Sequence, residues 1–352
     1  MDPAAGRREP TMRDVAALAK VSTKTVSRVI NGLPGAGTEV TERVRDAART
    51  LGYRPNLTAS SLRRSDRRSA TIGVLFEDLS NPFDAALLRA VEDRARHSGV
   101  LVLAGSSEDD HTQQRELLVS LSARRVDGLV VMAAGGHQDA LQHERERGTP
   151  MVLVDRPPTF GATDCVTTTN RASSRDAVGH LAALGHRDIA FLGDRRTLWT
   201  SQERYAGYVE GLAHAGVPLR GELVRTDLHG EDLAAAATTT LLDLDRPPTA
   251  LFTAQNLVTV GAQRVLRERG LHHRVAVIGF DDFPLADLLD PGITVVRQDV
   301  PGIGRKAADL VLARIDGDTS PPVHAVVPAA LVHRGSGEIA PRPGPGSLVG
   351  RQ

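Results

Sequence analysis

The sequence predicts an N-terminal all-α helix-turn-helix domain followed by a larger α/β body of parallel sheets. Short amphipathic helical segments fill the first fifty residues, and from Thr71 onward short apolar runs alternate with longer amphipathic ones. The charge divides at the same place: residues 1–70 hold 14 Lys and Arg against 7 Asp and Glu, and the remainder is correspondingly acidic within a chain of net charge 0. A basic module on an acidic body indicates nucleic acid at one end, although charge alone would also fit a basic disordered tail.

Helical periodicity in the basic segment argues against that tail. The first helix is predicted over 12–19 with Thr11 as its cap, and the second runs from Thr23 to Asn31 with Ser22 as its cap. A third is predicted from about Thr38 to Leu51. Two short helices joined by the three-residue break Lys20-Val21-Ser22 are the helix-turn-helix arrangement, with an ordinary helical bundle as the plain alternative.

The second helix carries the polar face that matters for DNA. Its outward positions hold short or cationic donors, which suit base edges and phosphates. They are Thr23, Lys24, Ser27 and Arg28.

The body is predicted to consist of repeated strand–helix units. Strands are predicted at 71–76, 100–104, 127–132, 150–154, 188–193, 249–253 and 274–280. Helices are predicted near 84–98, 112–124, 137–147, 171–184, 202–215, 231–243, 257–269 and 301–315. So many units favour two doubly wound lobes, with an eight-fold barrel as the alternative on pattern alone.

Composition excludes several classes of protein. A single cysteine, Cys165, allows no internal disulfide and fits a reducing, cytoplasmic location. The first ten residues have no apolar core, so no secretory signal is expected, and no apolar run is long enough for a membrane span. No catalytic motif stands out, so we expect neither an enzyme nor a cofactor.

Several histidines and two pairs of aspartates are candidate metal ligands by residue type. His180, His186 and the pair His272-His273 lack companion ligands nearby in the sequence and are interpreted as surface or capping histidines. Nothing near Asp281-Asp282 or Asp109-Asp110 supports a metal, so none is predicted.

Four segments together resemble the lactose/galactose-repressor family of transcriptional regulators. They are Met12–Ala19, Val21–Gly32, Leu51–Asn56 and Ala59–Leu62, in order and at family spacing. The similarity continues to about Gly335. Ala36-Gly37 departs from the family pattern, which puts the start of the third helix in question and leaves Thr38 as a possible cap.

The resemblance implies a periplasmic-binding-protein-like core of two doubly wound parallel-sheet lobes. The implied divisions are 1–10 as a disordered tail, 11–55 as the DNA-binding domain, 56–70 as hinge helix and linker, and 336–352 as a disordered tail. The core is 71–335, with lobe 1 at about 71–169 and 299–325, lobe 2 at about 170–297 and 326–335, and crossovers near 169–171, 297–299 and 323–327.

The resemblance also implies a role in DNA binding for residues of the first module. Thr23 and Lys24 would face bases, and residues 56–64 would form a hinge helix that places Leu62 in the minor groove. A flexible linker is the plain alternative for that segment. The full implied DNA-binding set is Thr23, Lys24, Ser27, Arg28, Asn31, Tyr53, Asn56, Ala59 and Leu62.

Polar residues follow six predicted strands, at the edge where open α/β sheets bind ligands. Each taken alone is more often a helix cap or turn residue, but together they resemble the family's sugar pocket. The implied effector-binding set is Asn81, Phe83, Asp155, Arg156, Thr200, Arg204, Gln255, Asp281 and Gln298. Gln255 stands where Asn or Asp is common, and the contacts of Trp199 and Phe160 are left open.

The expected function is that of a homodimeric repressor on a pseudo-palindromic double-stranded DNA operator. A small sugar, a pentose or hexose with a ribose-like sugar favoured, is expected to release it. The same fold could instead sense a purine or nucleoside, or use a co-repressor. Two less favoured hypotheses are a free sugar-binding protein and an α/β enzyme fused to a DNA-binding domain.

Overall fold

The computed structural model describes residues 8, 10–30, 33–54 and 68–341. The chain divides into two compact units, Met1–Ser69 and Ala70–Gln352. Among the described residues no helix is long and apolar enough to cross a membrane.

The described residues of the first unit form the three predicted helices, α1 (Met12–Ala19), α2 (Thr23–Ile30) and α3 (Thr38–Leu51). Asp14 accepts a hydrogen bond from the Thr11 backbone N–H at 2.7 Å, which caps α1. Ser22 Oγ accepts one from the Thr25 N–H at 3.1 Å at the start of α2.

Apolar side chains from all three helices form the small core of this unit. Val15, Val26 and Val44, one from each helix, are fully buried. Gly37, rather than Thr38, occupies the N-cap position of α3, so that cap offers no side-chain acceptor and Thr38 is the first helical residue.

The second unit contains twelve described strands and eight described α-helices. The strands are β1 (Thr71–Phe76), β2 (Leu101–Ser106), β3 (Gly128–Val131), β4 (Met151–Val154), β5 (Asp164–Thr168), β6 (Ile189–Leu192), β7 (Val224–Arg225), β8 (Ala250–Thr253), β9 (Ala276–Phe280), β10 (Thr294–Gln298), β11 (His324–Val327) and β12 (Ala329–Val332). The helices are α4 (Pro82–His97), α5 (His111–Ala123), α6 (Asp139–Glu146), α7 (Asn170–Ala183), α8 (Trp199–His214), α9 (Glu231–Leu242), α10 (Asn256–Glu268) and α11 (Val300–Ile315).

These strands form two six-stranded sheets, which confirms two doubly wound lobes and excludes the single barrel. Lobe 1 has the order β11-β5-β4-β3-β1-β2 and is parallel throughout. Lobe 2 has the order β12-β10-β9-β8-β6-β7, and β12 runs antiparallel to β10. Apolar residues are buried on both faces of each sheet, as parallel sheets covered by helices require.

The chain passes between the lobes three times, at Thr169, Asp299 and Pro328. The first two crossings lie where the sequence predicts them. The third lies just beyond the predicted 323–327, because all of β11 pairs with β5 in lobe 1. Lobe 1 therefore includes residues up to Val327 rather than ending at about 325.

The ordered body also continues past the predicted boundary at Gly335. Residues Ser336–Glu338 form a 3₁₀ helix, and Ser336 is buried. The Ser336 hydroxyl donates to the Val277 carbonyl at 2.7 Å, which holds this segment against lobe 2. Residues 342–352 lie outside the described residues.

Candidate effector cleft and DNA-binding helix

A cleft between the two lobes encloses a cavity of about 50 Å³. Parallel strands present their carboxyl ends at one edge, so side chains that follow strands of both sheets meet there. Eight of the nine predicted effector residues line the cavity: Asn81, Phe83, Asp155, Arg156, Thr200, Arg204, Gln255 and Asp281.

Asp155 and Asp281 occupy equivalent positions in the two lobes. Each follows the last residue of a strand, has a left-handed φ (66° and 71°) and is buried. Each backbone N–H donates to the next strand at 2.9 Å, to Val166 and Val296 respectively. Non-glycine residues in this conformation are uncommon and recur at functional sites, so the local geometry fixes both carboxylates at the cleft.

Arg204 is held in a fixed orientation in lobe 2. Its Nε donates to Asn170 Oδ1 at 2.8 Å, and its Nη1 donates to Asp281 Oδ2 at 3.2 Å. Its guanidinium carbon lies 3.8 Å from the centroid of the Phe280 ring. These contacts orient a buried cation toward the cleft without any ligand.

Gln298 is the predicted effector residue that does not line the cavity. Its Nε2 donates to Asp281 Oδ1 at 2.6 Å. It therefore lies behind the carboxylate and orients it, because β10 is adjacent to β9 and brings the two side chains together.

Arg156 lines the cavity but is already engaged by protein groups. Its Nη1 donates to Asp109 Oδ1 at 2.7 Å and to the Ala133 carbonyl at 2.8 Å, and its Nη2 donates to Glu77. These two carboxylates raise the pKa of Arg156 further, against the effect of burial. The family resemblance implies that Arg156 donates directly to the ligand. These contacts limit that role, since Nε is the only guanidinium nitrogen of Arg156 that makes no hydrogen bond.

Three charged lining residues were not predicted from the sequence: Glu77, Asp84 and Asp194. Glu77 and Asp194 immediately follow predicted strands, so the same strand-end rule could have found them. Burial raises the pKa of Glu77 despite the nearby Arg156. Burial raises the pKa of Asp84 to about 8, only partly offset by the hydrogen bond from the Asp78 N–H.

Three polar contacts cross from one lobe to the other at the cleft. Asn256 Nδ2 donates to Asn81 Oδ1 at 2.8 Å, and Arg195 Nη1 donates to Asp109 Oδ2 at 3.0 Å. His229 Nε2 lies 3.9 Å from a Glu77 oxygen. Small-molecule pockets measure roughly 300–1,000 Å³, so this cleft would have to widen to admit a ligand of that size.

The predicted DNA-reading helix presents an exposed polar face. Thr23, Lys24 and Arg28 on α2 are exposed, and Ser27 is partly buried. Arg28 Nη2 donates to the Pro34 carbonyl, so this arginine also supports the loop that precedes α3. Tyr53 packs against the core of the three-helix domain. Asn31, Asn56, Ala59 and Leu62 lie outside the described residues.

Two histidine interpretations are wrong. His186 is not at the surface: it is fully buried, with Nδ1 2.8 Å from Thr249 Oγ1 and Nε2 2.8 Å from the Ile339 carbonyl oxygen. His180 does have companions, because it lies beside His333 and Glu338, which are distant in the sequence. Within 68–341, neither Asp281-Asp282 nor Asp109-Asp110 belongs to a three-residue group that could bind a metal.

Two family models match the chain. Residues 11–56 match the bacterial regulatory proteins of the lacI family, and residues 178–337 match a periplasmic binding protein-like domain.

The chain is similar along most of its length to known repressors. It is 34% identical over 332 residues to the sucrose operon repressor of Klebsiella pneumoniae, covering 91% of this chain and 97% of that one. A solved structure of the transcriptional regulator CelR in complex with cellobiose aligns with a TM-score of 0.71 and 32% identity, covering 93% and 100% of the two chains. The lac repressor dimer bound to operator and the anti-inducer ONPF aligns with a TM-score of 0.82 and 26% identity, covering 94% and 99%.

The helix-turn-helix domain, the two-lobed cleft and these similarities along the whole chain agree. Homologues of this kind are transcriptional repressors and not enzymes. The protein belongs to the lacI family of bacterial regulatory proteins and is a ligand-responsive, DNA-binding transcriptional repressor.

Proposed function

We propose that the protein binds a pseudo-palindromic operator as a homodimer and is released by an uncharged sugar that enters the cleft between its lobes. The observation that carries the proposal is the ring of buried polar side chains at the strand ends of both lobes, centred on Asp155 and Asp281. A ligand that contacts both lobes favours one lobe arrangement over another, which couples the cleft to DNA binding.

The chemistry of the cleft suits vicinal hydroxyl groups. Ionised carboxylates accept two hydrogen bonds from neighbouring hydroxyls, and guanidinium groups donate to hydroxyl or ring oxygens. Asp155 and Asp281 supply the acceptors from opposite lobes, and Arg204 supplies the donor. Phe83 offers an apolar face for the sugar ring.

The charge of the cleft argues for a neutral ligand. Its lining holds five carboxyl groups, Glu77, Asp84, Asp155, Asp194 and Asp281, against two guanidinium groups, those of Arg156 and Arg204. Asp84 is largely protonated at neutral pH, given its pKa of about 8. Burial also raises the pKa of Glu77 and of Asp155. Both guanidinium groups are already paired with carboxyl groups of the protein, Arg156 with Glu77 and Asp109, and Arg204 with Asp281. Neither is therefore free to neutralise the anionic group of a sugar phosphate or sugar acid.

The similar proteins support the same class of effector. The structure of CelR holds cellobiose, and the sucrose operon repressor is named for a sugar operon. Within that class we favour a ribose-like pentose or a hexose. The direction we favour is release from DNA on binding of the sugar.

On the DNA side, Thr23 and Lys24 would contact bases, and Ser27 and Arg28 would contact bases or phosphates. The hinge role of Leu62, with Asn56 and Ala59, is proposed from the family pattern, and these residues lie outside the described part of the chain. The lac repressor of similar fold is a dimer on its operator, which supports a dimer here.

Thermal unfolding against a ligand panel tests the effector class. A ligand that binds only the native state raises the midpoint by mass action. We expect a rise with a neutral pentose or hexose and none with the corresponding phosphate. A rise with a nucleoside or purine alone would replace the sugar proposal, and a rise with the phosphate alone would contradict the charge argument.

Operator titration with the ligand identified in this way tests the direction of the response. We expect the sugar to weaken binding to the operator, measured by fluorescence anisotropy. Tighter binding would show that the sugar is a co-repressor.

A further inference from the structure

Three potential metal ligands meet on lobe 2, away from the effector cleft. His180 lies on α7, His333 follows β12, and Glu338 belongs to the 3₁₀ helix Ser336–Glu338. One ligand atom from each lies within 4.8 Å of the other two. We propose that this cluster, here called the histidine–glutamate site, binds a borderline divalent transition-metal ion such as Zn²⁺.

The spacing of the ligand atoms suits a tetrahedral ion. Metal–ligand bonds of about 2.0–2.1 Å at tetrahedral angles place neighbouring ligand atoms about 3.3 Å apart. His180 Nε2 lies 3.4 Å from Glu338 Oε1, and His333 Nδ1 lies 2.7 Å from the same oxygen. The two imidazole centroids are 4.8 Å apart. An ion therefore requires a small outward movement of His333, whose side chain is half exposed.

The carboxylate of Glu338 is already oriented for this role. Its Oε2 accepts hydrogen bonds from Thr294 Oγ1 at 2.8 Å and from the Gly335 N–H at 2.7 Å. Its Oε1 is thereby directed to the two histidines. Protein groups that orient a ligating carboxylate in this way strengthen metal sites.

His180 provides an independent indication. Its Nε2 is shielded from solvent and makes no hydrogen bond. A buried imidazole nitrogen without a partner carries a desolvation cost, which coordination of an ion would remove. The same nitrogen lies 3.4 Å from Glu338 Oε1, beside the space that the ion would occupy.

A second group with suitable ligand spacing among the described residues is less suited to a metal. Glu77, Asp194 and His229 also come within 4.8 Å of one another. In that group Glu77 accepts a hydrogen bond from Arg156, and His229 Nδ1 is hydrogen-bonded to Asp194 Oδ1 at 3.1 Å. The cations beside that group would repel an added ion.

A metal at the histidine–glutamate site would join the chain that follows β12 to α7. Three protein ligands leave one tetrahedral position for water. The ion would stabilise the native state of lobe 2, since the ligands come together only in the folded chain.

Isothermal titration of the untagged, metal-stripped protein with Zn²⁺ tests the proposal, with Co²⁺ absorption as a second readout of tetrahedral coordination. We expect one ion per chain and a thermal midpoint that rises with Zn²⁺ and falls again with EDTA. His180→Gln, His333→Gln and Glu338→Gln should each weaken Zn²⁺ binding at least about tenfold. Circular dichroism verifies that each variant is folded.

His273→Gln is the matched control, because His273 is exposed and belongs to no group of three possible metal ligands in the described part of the chain. Its Zn²⁺ affinity should equal that of the wild type. No binding by the wild type, or equal loss in the control and the cluster variants, would overturn the proposal. Retained binding in all three folded cluster variants would overturn it as well.

Discussion

Arg195 of lobe 2 donates a hydrogen bond from Nη1 to Asp109 Oδ2 of lobe 1 at 3.0 Å. The other oxygen of the same carboxylate accepts from Arg156 at 2.7 Å and from the Gly135 N–H at 2.9 Å. Burial raises the pKa of Asp109, but Arg156 and these hydrogen bonds outweigh it and hold the pKa below its usual value. Asp109 thus links the buried cation of the cleft to the contact between the lobes.

Asp109→Asn should therefore destabilise the protein more than Arg195→Gln. The Asp109 side chain is 4% exposed, and its loss leaves the charge of Arg156 to Glu77 and to the more distant Asp155. We expect a loss of about 2–3 kcal/mol in the free energy of unfolding, somewhat below the cost of leaving a buried charge unpaired. Arg195 is 37% exposed, so its loss should cost under about 1 kcal/mol. Urea unfolding measures both, and equal losses would contradict this account.

The contribution of Asp84 to the free energy of unfolding should fall as the pH rises from about 4 to about 8. The pKa of Asp84 is about 8 in the folded chain, raised by burial from an ordinary value of 3.8. In this range the native state therefore keeps a proton that the unfolded state releases. Because the native state binds the extra proton, this contribution to the free energy of unfolding decreases with rising pH and is lost as the pH approaches 8.

Asp84→Asn, which mimics the neutral form, should flatten this dependence and raise the urea midpoint at pH 8. The amide oxygen of Asn can still accept from the Asp78 N–H. Urea midpoints across pH 4–8 for both proteins provide the test. An unchanged pH profile in the variant would show that Asp84 does not carry the effect.

Asp281→Ala should abolish the response to the effector while operator binding persists. The change removes an acceptor that Arg204 and Gln298 hold in the cleft, and hydrogen bonds to charged groups contribute about 1.5–3 kcal/mol. We expect at least about tenfold weaker effector binding by calorimetry. Asp282→Ala is the control, because Asp282 pairs with Arg334 and does not line the cavity. Equal loss in both variants would remove Asp281 from the site.

Lys24→Ala should change which operator bases are preferred. Lys24 is exposed on α2, in the expected position for a base contact. Binding to a panel of single-base operator variants, at two salt concentrations, measures the effect. A uniform loss of affinity across the panel, together with a salt slope that is smaller by about one, would show that Lys24 contacts phosphate.

Leu62→Ala should weaken operator binding and leave effector binding intact. The expectation rests on the predicted insertion of an apolar side chain into the minor groove, a contact that exists only on DNA. Anisotropy on the operator and calorimetry with the effector separate the two effects. Unchanged operator affinity would rule out this role for Leu62.

Local patterns in the sequence were enough for the helices, most strands and much of the cleft. A period of about 3.6 residues arises from the burial of one helix face, and a short apolar run arises from the burial of a whole strand. Both patterns can be recognised within about a dozen residues of sequence. The strand-end rule located Asp155 and Asp281 for the same reason, since each directly follows an apolar run. The motif around Thr23 and Lys24 was likewise local.

Only the tertiary structure decided which distant groups became partners. Arg156 looked like a free ligand donor, but the fold places Glu77 and Asp109 around it. Gln298 proved to orient Asp281 because β10 pairs with β9, and His180 acquired partners from the far end of the chain. Pairing of strands and packing of helices bring together residues far apart in sequence, and no local period encodes that choice. The sequence alone thus determined the type and order of the elements, whereas the assembled sheets decided how the charges of the cleft are matched.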